Sequence, residues 1–251
     1  MPERTKINTD NLTRYAPFFG GMYEVGGGMR IVTEHQKRTN KGRVYEYDYA
    51  IPYLTFGDGA REKVEWLKIA LETGVIIEHG NSFDWRLKST NAILGVQSFR
   101  PFTPSRQPHA EIFQRWAKLD PYSRLQLVDD FSKIATESKH NVTPESYEEL
   151  IRDPLFLAGV FWARAFHFTQ RSTTEAQPLK INSLNRPLLQ AIKATYGGFV
   201  DTEHRYKEKE RLVIDKAWLP GQVPSLIEIG SRDSARILSI IEPVLPTPLA
   251  A

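Results

Sequence analysis

Apolar positions recur with a helical period in two separated stretches, REKVEWLKIALETGVII (61–77) and NRPLLQAIKATYGGFV (185–200). Val64, Leu67, Ile69 and Leu71 form one stripe, and Leu188, Leu189 and Ile192 the other. Each stretch runs into a glycine, Gly74 or Gly198, where a helix C-terminus favours a left-handed residue. Ahead of each lies an apolar, glycine-containing run that turns strand-like: LTRYAPFFGGMYEVGGGMRI (12–31) and LIRDPLFLAGVFWARAFHFT (150–169). Behind each come WRLKSTNAILGVQSFRPF (85–102) and IEIGSRDSARILSIIEPV (227–244), read as strand, polar N-cap, helix and proline. The pairs Gly21/Gly159, Gly74/Gly198 and Pro101/Pro243 are separated by 138, 124 and 142 residues. Three anchors in the same order mark an internal duplication with insertions that differ between the halves.

The implied unit is αββαββα, giving an α/β (α+β) protein with two copies at 12–102 and 144–245. Strands are predicted at 28–36, 43–55, 74–79 and 83–88, and again at 165–171, 178–183, 198–206 and 225–229. Residues 103–143 form a linker with two helical patterns, 108–119 and 121–137, and 207–224 read as an insertion in the second copy.

Composition narrows the chemistry. The chain has 251 residues and no cysteine, which excludes disulfides, cysteine-based zinc and a cysteine nucleophile. Its six histidines form no helix-spaced pair, so a histidine metal motif is absent. Gly26-Gly27-Gly28 lacks the Lys and Ser/Thr of a phosphate loop, and no nucleophile-elbow signature occurs. The longest strongly apolar run, Leu155–Ala163, falls short of the roughly 20 residues a bilayer span needs. With no apolar stretch near the start, the expectation is an intracellular, non-secreted protein without a membrane partner, its compartment unknown.

The charge balance is 33 basic against 30 acidic residues. The excess concentrates at 30–43, where Arg30, Lys37, Arg38, Lys41 and Arg43 face only Glu34, and His35 sits among them. Two readings stay open, a solvated hairpin tip and a phosphate-contacting loop. On the next strand Arg43, Tyr45, Tyr47 and Tyr49 share one face. These tyrosines either stack bases or pack under a neighbouring helix, with packing the expectation. Trp85 is expected in the core. Around 203–211 acids interleave with bases, as on a solvated surface.

The doubled unit resembles the LAGLIDADG homing endonucleases and related maturases. Phe156-Leu157-Ala158-Gly159-Val160-Phe161-Trp162-Ala163-Arg164-Ala165 is similar to the family motif, and Phe19-Gly20-Gly21-Met22-Tyr23-Glu24-Val25-Gly26-Gly27 is a more divergent copy. The resemblance implies a single-chain, monomeric, pseudo-twofold molecule whose two antiparallel sheets form a saddle over nucleic acid. It implies two motif helices packed through small residues, here Gly20, Gly21, Ala158 and Gly159. It also implies an acidic residue ending each helix and holding divalent metal for phosphodiester hydrolysis. Those two positions carry Gly26 and Arg164. Glu24 lies two residues earlier, about 200° around the helix. The reading is a nucleic-acid-binding protein, for duplex DNA or structured RNA, that has lost metal-dependent cleavage and takes no cofactor.

The contacts implied are Arg30, His35, Lys37, Arg38, Lys41, Arg43 and Lys88 in the first half. In the second half they are His167, Gln170, Arg171, Lys180, Asn182 and Arg205. Alternation there places Phe166, Phe168 and Gln170 on the binding face, which suits a protein partner or unpaired bases; a one-residue slip substitutes His167, Thr169 and Arg171. The alternatives are an Mg²⁺-dependent endonuclease with displaced acids (Glu24 with Asp153 or Asp201) and a structural component of a ribonucleoprotein.

Overall fold

The computed structural model describes residues 6–137, 142–167, 179–202 and 210–214. A short helix, α1 (Thr9–Arg14), leads into α2 (Ala16–Val25). A long hairpin follows, β1 (Gly27–Asn40) and β2 (Arg43–Asp58). Next come α3 (Arg61–Ala70), β3 (Val75–His79), β4 (Ser82–Lys88) and α4 (Thr90–Phe99). Two linker helices, α5 (Gln107–Lys118) and α6 (Gln126–Glu137), precede the second copy. That copy contains α7 (Pro154–Arg164), β5 (Ala165–His167), β6 (Leu179–Ser183), α8 (Arg186–Tyr196), β7 (Phe199–Thr202) and β8 (Glu210–Ile214). The two antiparallel sheets have matching orders, β1-β2-β4-β3 and β5-β6-β8-β7.

The centre is the pair α2 and α7. Phe18 through Glu24 and Leu155 through Ala163 are buried without a break. A helix apolar on all sides is one enclosed on all sides. Gly21 and Gly159 make this possible. A Cβ on Gly21 would lie 2.1 Å from the Phe156 carbonyl oxygen, and one on Gly159 would lie 1.9 Å from that of Phe18. Of the other two small residues expected at this crossing, Gly20 faces elsewhere, and Ala158 is buried in the core that also holds Phe18 and Met22 of α2. A Cβ on Gly20 would lie 2.3 Å from that of Phe102.

Two hydrophobic cores meet on α7. Leu155, Ala158 and Trp162 belong to the larger core under the first sheet, with Phe18, Trp66, Phe56 and the linker residues Phe113 and Phe131. Phe156, Leu157, Val160 and Phe161 belong to the smaller core, with Ile181, Leu188, Ile192 and Leu212. Trp162 stacks on Phe56 at 5.3 Å and lies 5.4 Å from Trp66.

Several sequence expectations shift. In α3 it is Trp66, not Ile69, that joins the buried stripe; Ile69 is exposed. Helix α3 ends at Ala70, and Glu72 takes the left-handed position (φ +54°), so Gly74 (φ +106°) is not its cap. Gly74 instead admits the indole of Trp85, whose Nε1 donates to the Thr73 carbonyl at 3.0 Å. In the second sheet, the place of β4 is filled by β8 at 210–214, inside the stretch read as an insertion, and not by 225–229. Leu212 and Ile214 supply its buried side, hidden in the sequence by flanking charges. The expected strand 225–229 and closing helix lie outside the described residues.

Replacing Gly21 or Gly159 by valine drives Cβ into helix backbone that has no freedom to retreat. Each is expected to lose stability at or above the upper end of the usual overpacking cost, about 1–3 kcal/mol. Urea unfolding measures it, with Gly42→Asn at the open hairpin tip as a control expected to stay within about 0.5 kcal/mol.

Candidate functional site

The register of the first sheet separates its two faces. Met29 and Ile31 on β1, Leu54 and Phe56 on β2, and Trp85 and Leu87 on β4 point into the core. The opposite, open face carries Arg30 beside Tyr53, Tyr53 beside Lys88, and Thr55 beside Arg86. The Arg86 guanidinium lies over the Tyr53 ring at 5.5 Å. Arg30 and Lys88, both expected contacts, therefore share this face with Arg86 and Tyr53, and both are exposed. Tyr53 was not singled out from sequence because buried Ile51 interrupts the tyrosine alternation.

Beyond the last β2–β4 pair, β1 and β2 continue alone. The stretch taken as a basic loop is a two-stranded ribbon paired as far as Asn40↔Arg43. It closes on Lys41-Gly42, both at positive φ (+49° and +75°), the geometry of a two-residue hairpin turn. From Glu34↔Tyr49 to the tip, seven paired positions project about 24 Å.

Pairing also splits the basic cluster. His35 and Lys37 lie on the face opposite Arg30, His35 Nδ1 2.9 Å from an Asp48 carboxylate oxygen and Lys37 2.7 Å from Glu46. Glu46 and Asp48 from β2 thus offset part of the local positive charge. The tyrosine face is not packed under a helix, contrary to expectation. Tyr45 and Tyr47 are 49% and 36% exposed. Tyr47 donates to Gln36 at 3.1 Å, and Tyr49 to Glu34 at 3.2 Å. Tyr53 donates to the other Glu34 oxygen. Burial first, then the hydrogen bond and charge of Glu34, hold the Tyr53 phenol above its usual titration range. Arg43 and Lys41 are exposed at the tip. Arg38 is placed opposite Tyr45 by register.

In the second sheet the register follows the unslipped alternation. Phe166 stands opposite Lys180, Lys180 opposite Val213, and Phe199 opposite Val213, making one cross-sheet row. Asn182 and Asp201 both stand opposite Arg211, on the same side. His167 pairs with Leu179, which pairs with Ile214, a buried residue. Its register position is on the core side, not with Lys180. Gln170, Arg171 and Arg205 lie outside the described residues. Equivalent rows of the two sheets thus read Gly28–Thr55–Arg86–Val75 and Phe166–Lys180–Val213–Phe199.

Between the sheets, the parallel helices α2 and α7 end side by side. A Cβ on Gly26 would meet Arg164 Nε at 3.1 Å and the Ala163 Cβ at 3.4 Å. Arg164 Nε points to the Val25 carbonyl at 3.3 Å, and Nη2 to the Gly26 carbonyl at 3.4 Å. A guanidinium there offsets the partial negative charge at the end of α2. The same positive charge repels a divalent cation. The residues at this point therefore do not fit Mg²⁺.

The displaced-acid alternative meets different geometry. Asp153 caps the far end of α7, accepting from Leu155 N at 2.8 Å. That end is about 16 Å from Arg164 along the 11-residue helix. Glu24 is buried and turned away from Gly26. Its carboxylate accepts from Ser105 N at 3.1 Å, Tyr147 Oη at 2.6 Å and Asn185 Nδ2 at 2.5 Å. Asn185 also caps α8 by accepting from Leu188 N at 3.2 Å. Burial raises the Glu24 carboxyl, opposed by the Tyr147 hydrogen bond, the Arg106 charge and Ser105. Among the described residues, no three His, Asp or Glu side chains converge as metal ligands. Sequence reasoning missed this latch, since its partners are far apart in the chain. The one legible signal was an isolated acid inside an apolar helix.

No protein-family model matches the chain, and no curated protein matches it in sequence. Solved structures do match in shape. The LAGLIDADG homing endonuclease I-GzeII, in complex with its DNA target, superposes with a TM-score of 0.54 at 11% identity, covering 90% of this chain and 87% of that one. The meganuclease I-SmaMI bound to uncleaveable DNA gives 0.53 at 14% identity, covering 91% and 90%. I-SmaMI bound to cleaved DNA gives 0.53 at 13%, covering 91% and 88%. The chain has the fold of the LAGLIDADG homing endonucleases.

A raised Glu24 carboxyl means the folded state holds its proton more tightly than the unfolded one. Its contribution to stability is then greatest below the unfolded value, about 4.3, and declines as pH rises through the higher folded value. Urea unfolding from pH 4 to 8 should show a downward slope in the wild type that is absent in Glu24→Gln. Parallel profiles would rule this linkage out.

Proposed function

We propose that this chain binds nucleic acid across the open face of its first sheet and does not cut it. The observation that carries the second part is Arg164, a cation set on the end of α2 where metal-binding acids would have to converge. Support for the first part comes from the fold, whose solved examples include DNA complexes, and from Arg30, Arg86 and Lys88 on one face. Such cations position a phosphate backbone. Arg164 lies between the two sheets and is exposed. It suits an uncut backbone as an added phosphate contact.

Duplex DNA is the ligand favoured by the fold; structured RNA is the second reading, favoured by the exposed tyrosines of the ribbon. The grip is lopsided. Phe199, exposed and on the cross-sheet row that holds Lys180, is suited to a protein partner more than to phosphate. The molecule is read as a monomer because the duplication supplies both halves of the saddle in one chain.

Binding should weaken steeply with salt, because each neutralised phosphate contributes about 0.9 to the slope of log K against log salt. Gel shifts with duplex DNA and structured RNA at two salt concentrations, each with and without Mg²⁺, test both parts. A salt-sensitive shift without cleavage is expected. Mg²⁺-dependent cleavage overturns the loss of catalysis, and no shift at low salt overturns binding. Conversely, Gly26→Asp with Arg164→Asp should introduce Mn²⁺ or Mg²⁺ affinity measurable by calorimetry; no heat of binding would contradict the placement of these two helix ends.

A further inference from the structure

Arg86 differs from the two cations that share its face. Arg30 stands on the edge strand β1 and Lys88 at the end of β4, both exposed. Arg86 lies inside the sheet, between Thr55 of β2 and Val75 of β3. Its side chain is held from two sides. The guanidinium lies over the Tyr53 ring at 5.5 Å, and Nη2 is 3.8 Å from an Asp84 carboxylate oxygen. Both supports are themselves fixed. The Tyr53 hydroxyl donates to Glu34. The same Asp84 oxygen lies 3.5 Å from His79 Nε2, and the other fills space left by Gly57, where a Cβ would be 2.6 Å away. Placement by ring and charge leaves the donors of Arg86 unspent. Its Nε is buried and has no hydrogen-bond partner. At 3.8 Å, Nη2 is outside hydrogen-bond reach of Asp84. The side chain stays 32% exposed on the open face.

These features suit a base edge better than a phosphate. A phosphate contact carries no sequence information and is served by a mobile cation such as Lys88. It is also weakened by a neighbouring carboxylate, and Asp84 is beside Arg86. A base edge instead needs a fork fixed in advance, since a planar guanidinium matches two acceptors at once. In the major groove only guanine offers two acceptors, O6 and N7, on one base. Val75, the cross-strand neighbour of Arg86, is 61% exposed on the same face, because Ile76 beside it turns to the core. A valine there offers nothing to a phosphate and suits the methyl of a thymine. Double-stranded RNA presents no such surface, because its major groove is too narrow for side chains to read.

We propose that Arg86 reads a guanine in the major groove of duplex DNA, with Asp84 as the residue that positions it. This rests on the nucleic-acid reading above, and takes Arg86 out of the backbone contacts and into sequence recognition.

The test is selection from a pool of duplex DNA with a randomised centre, followed by fluorescence anisotropy over a salt series. Duplexes retained by the wild type should share a fixed guanine. Changing that G·C pair to A·T should cost about tenfold or more in affinity. Arg86→Ala should remove this cost at that base pair and leave the salt slope unchanged. Arg30→Ala and Lys88→Ala should do the reverse, each lowering the slope by about 0.9 with base preferences intact. Arg86→Lys keeps the charge without the fork and should lose most of the preference, which covers an alanine variant that does not fold. Asp84→Asn should shrink the preference while tightening binding to unselected DNA, a combination that a loss of fold would not give. Unchanged base preferences in Arg86→Ala, or a fall of about 0.9 in its salt slope alone, would make Arg86 a phosphate contact. Either result overturns the proposal with DNA binding intact, as does a retained pool with no fixed guanine. Binding of structured RNA but not of duplex DNA also overturns it. Failure to bind either at low salt would sink the nucleic-acid reading itself.

Discussion

Everything in this molecule is arranged around the contact of two glycines. Gly21 and Gly159 let the backbones of α2 and α7 approach until a single Cβ would collide with a carbonyl oxygen. At that separation the two helices act as a common axle, buried on every side, from which each sheet hangs. The distance also decides what their ends can do. Because the helices run parallel and close, Val25, Gly26, Ala163 and Arg164 meet at one point between the sheets. A pair of carboxylates there would share a cation; a glycine and an arginine instead give a capped helix end with surplus positive charge.

The two halves start from one pattern and diverge where they face outward. Inward rows are interchangeable in character: Leu54, Phe56 and Leu87 in one half, Ile181, Leu212 and Ile214 in the other. Outward rows are not. Thr55 and Arg86 occupy the positions that Lys180 and Val213 occupy in the second sheet. The first sheet also extends into a ribbon for which the described part of the second has no counterpart. Packing has held the cores alike while the open faces have been free to change.

Much of this was legible because duplication and periodicity are local properties of a sequence. The small residues in two apolar runs, the alternation of β1, and the missing acids at 26 and 164 could be read directly. What failed was whatever depended on distant neighbours. Period alone placed Ile69 in the stripe, but the cavity beside Trp162 is filled by Trp66. Alternation told which tyrosines share a face, not that the face would be left open. A strand of five residues between charges, 210–214, looked like surface until its pairing with β6 was seen. The positive cluster at 30–43 lost part of its charge only when strand pairing brought Glu46 and Asp48 alongside.

Helix α7 has a further consequence. Its residues are divided between both cores, with Trp162 in one and Phe161 in the other. Neither half can close its interior without it, so the duplication has not left two separable domains. Unfolding either core strips one side of a shared helix and exposes the other. The Glu24–Asn185 bond spans 161 positions of chain, and a closure of that length carries a large loop-entropy cost before it is rewarded. The two cores are thus coupled through one helix, and a substitution on α7 is felt on both sides of it.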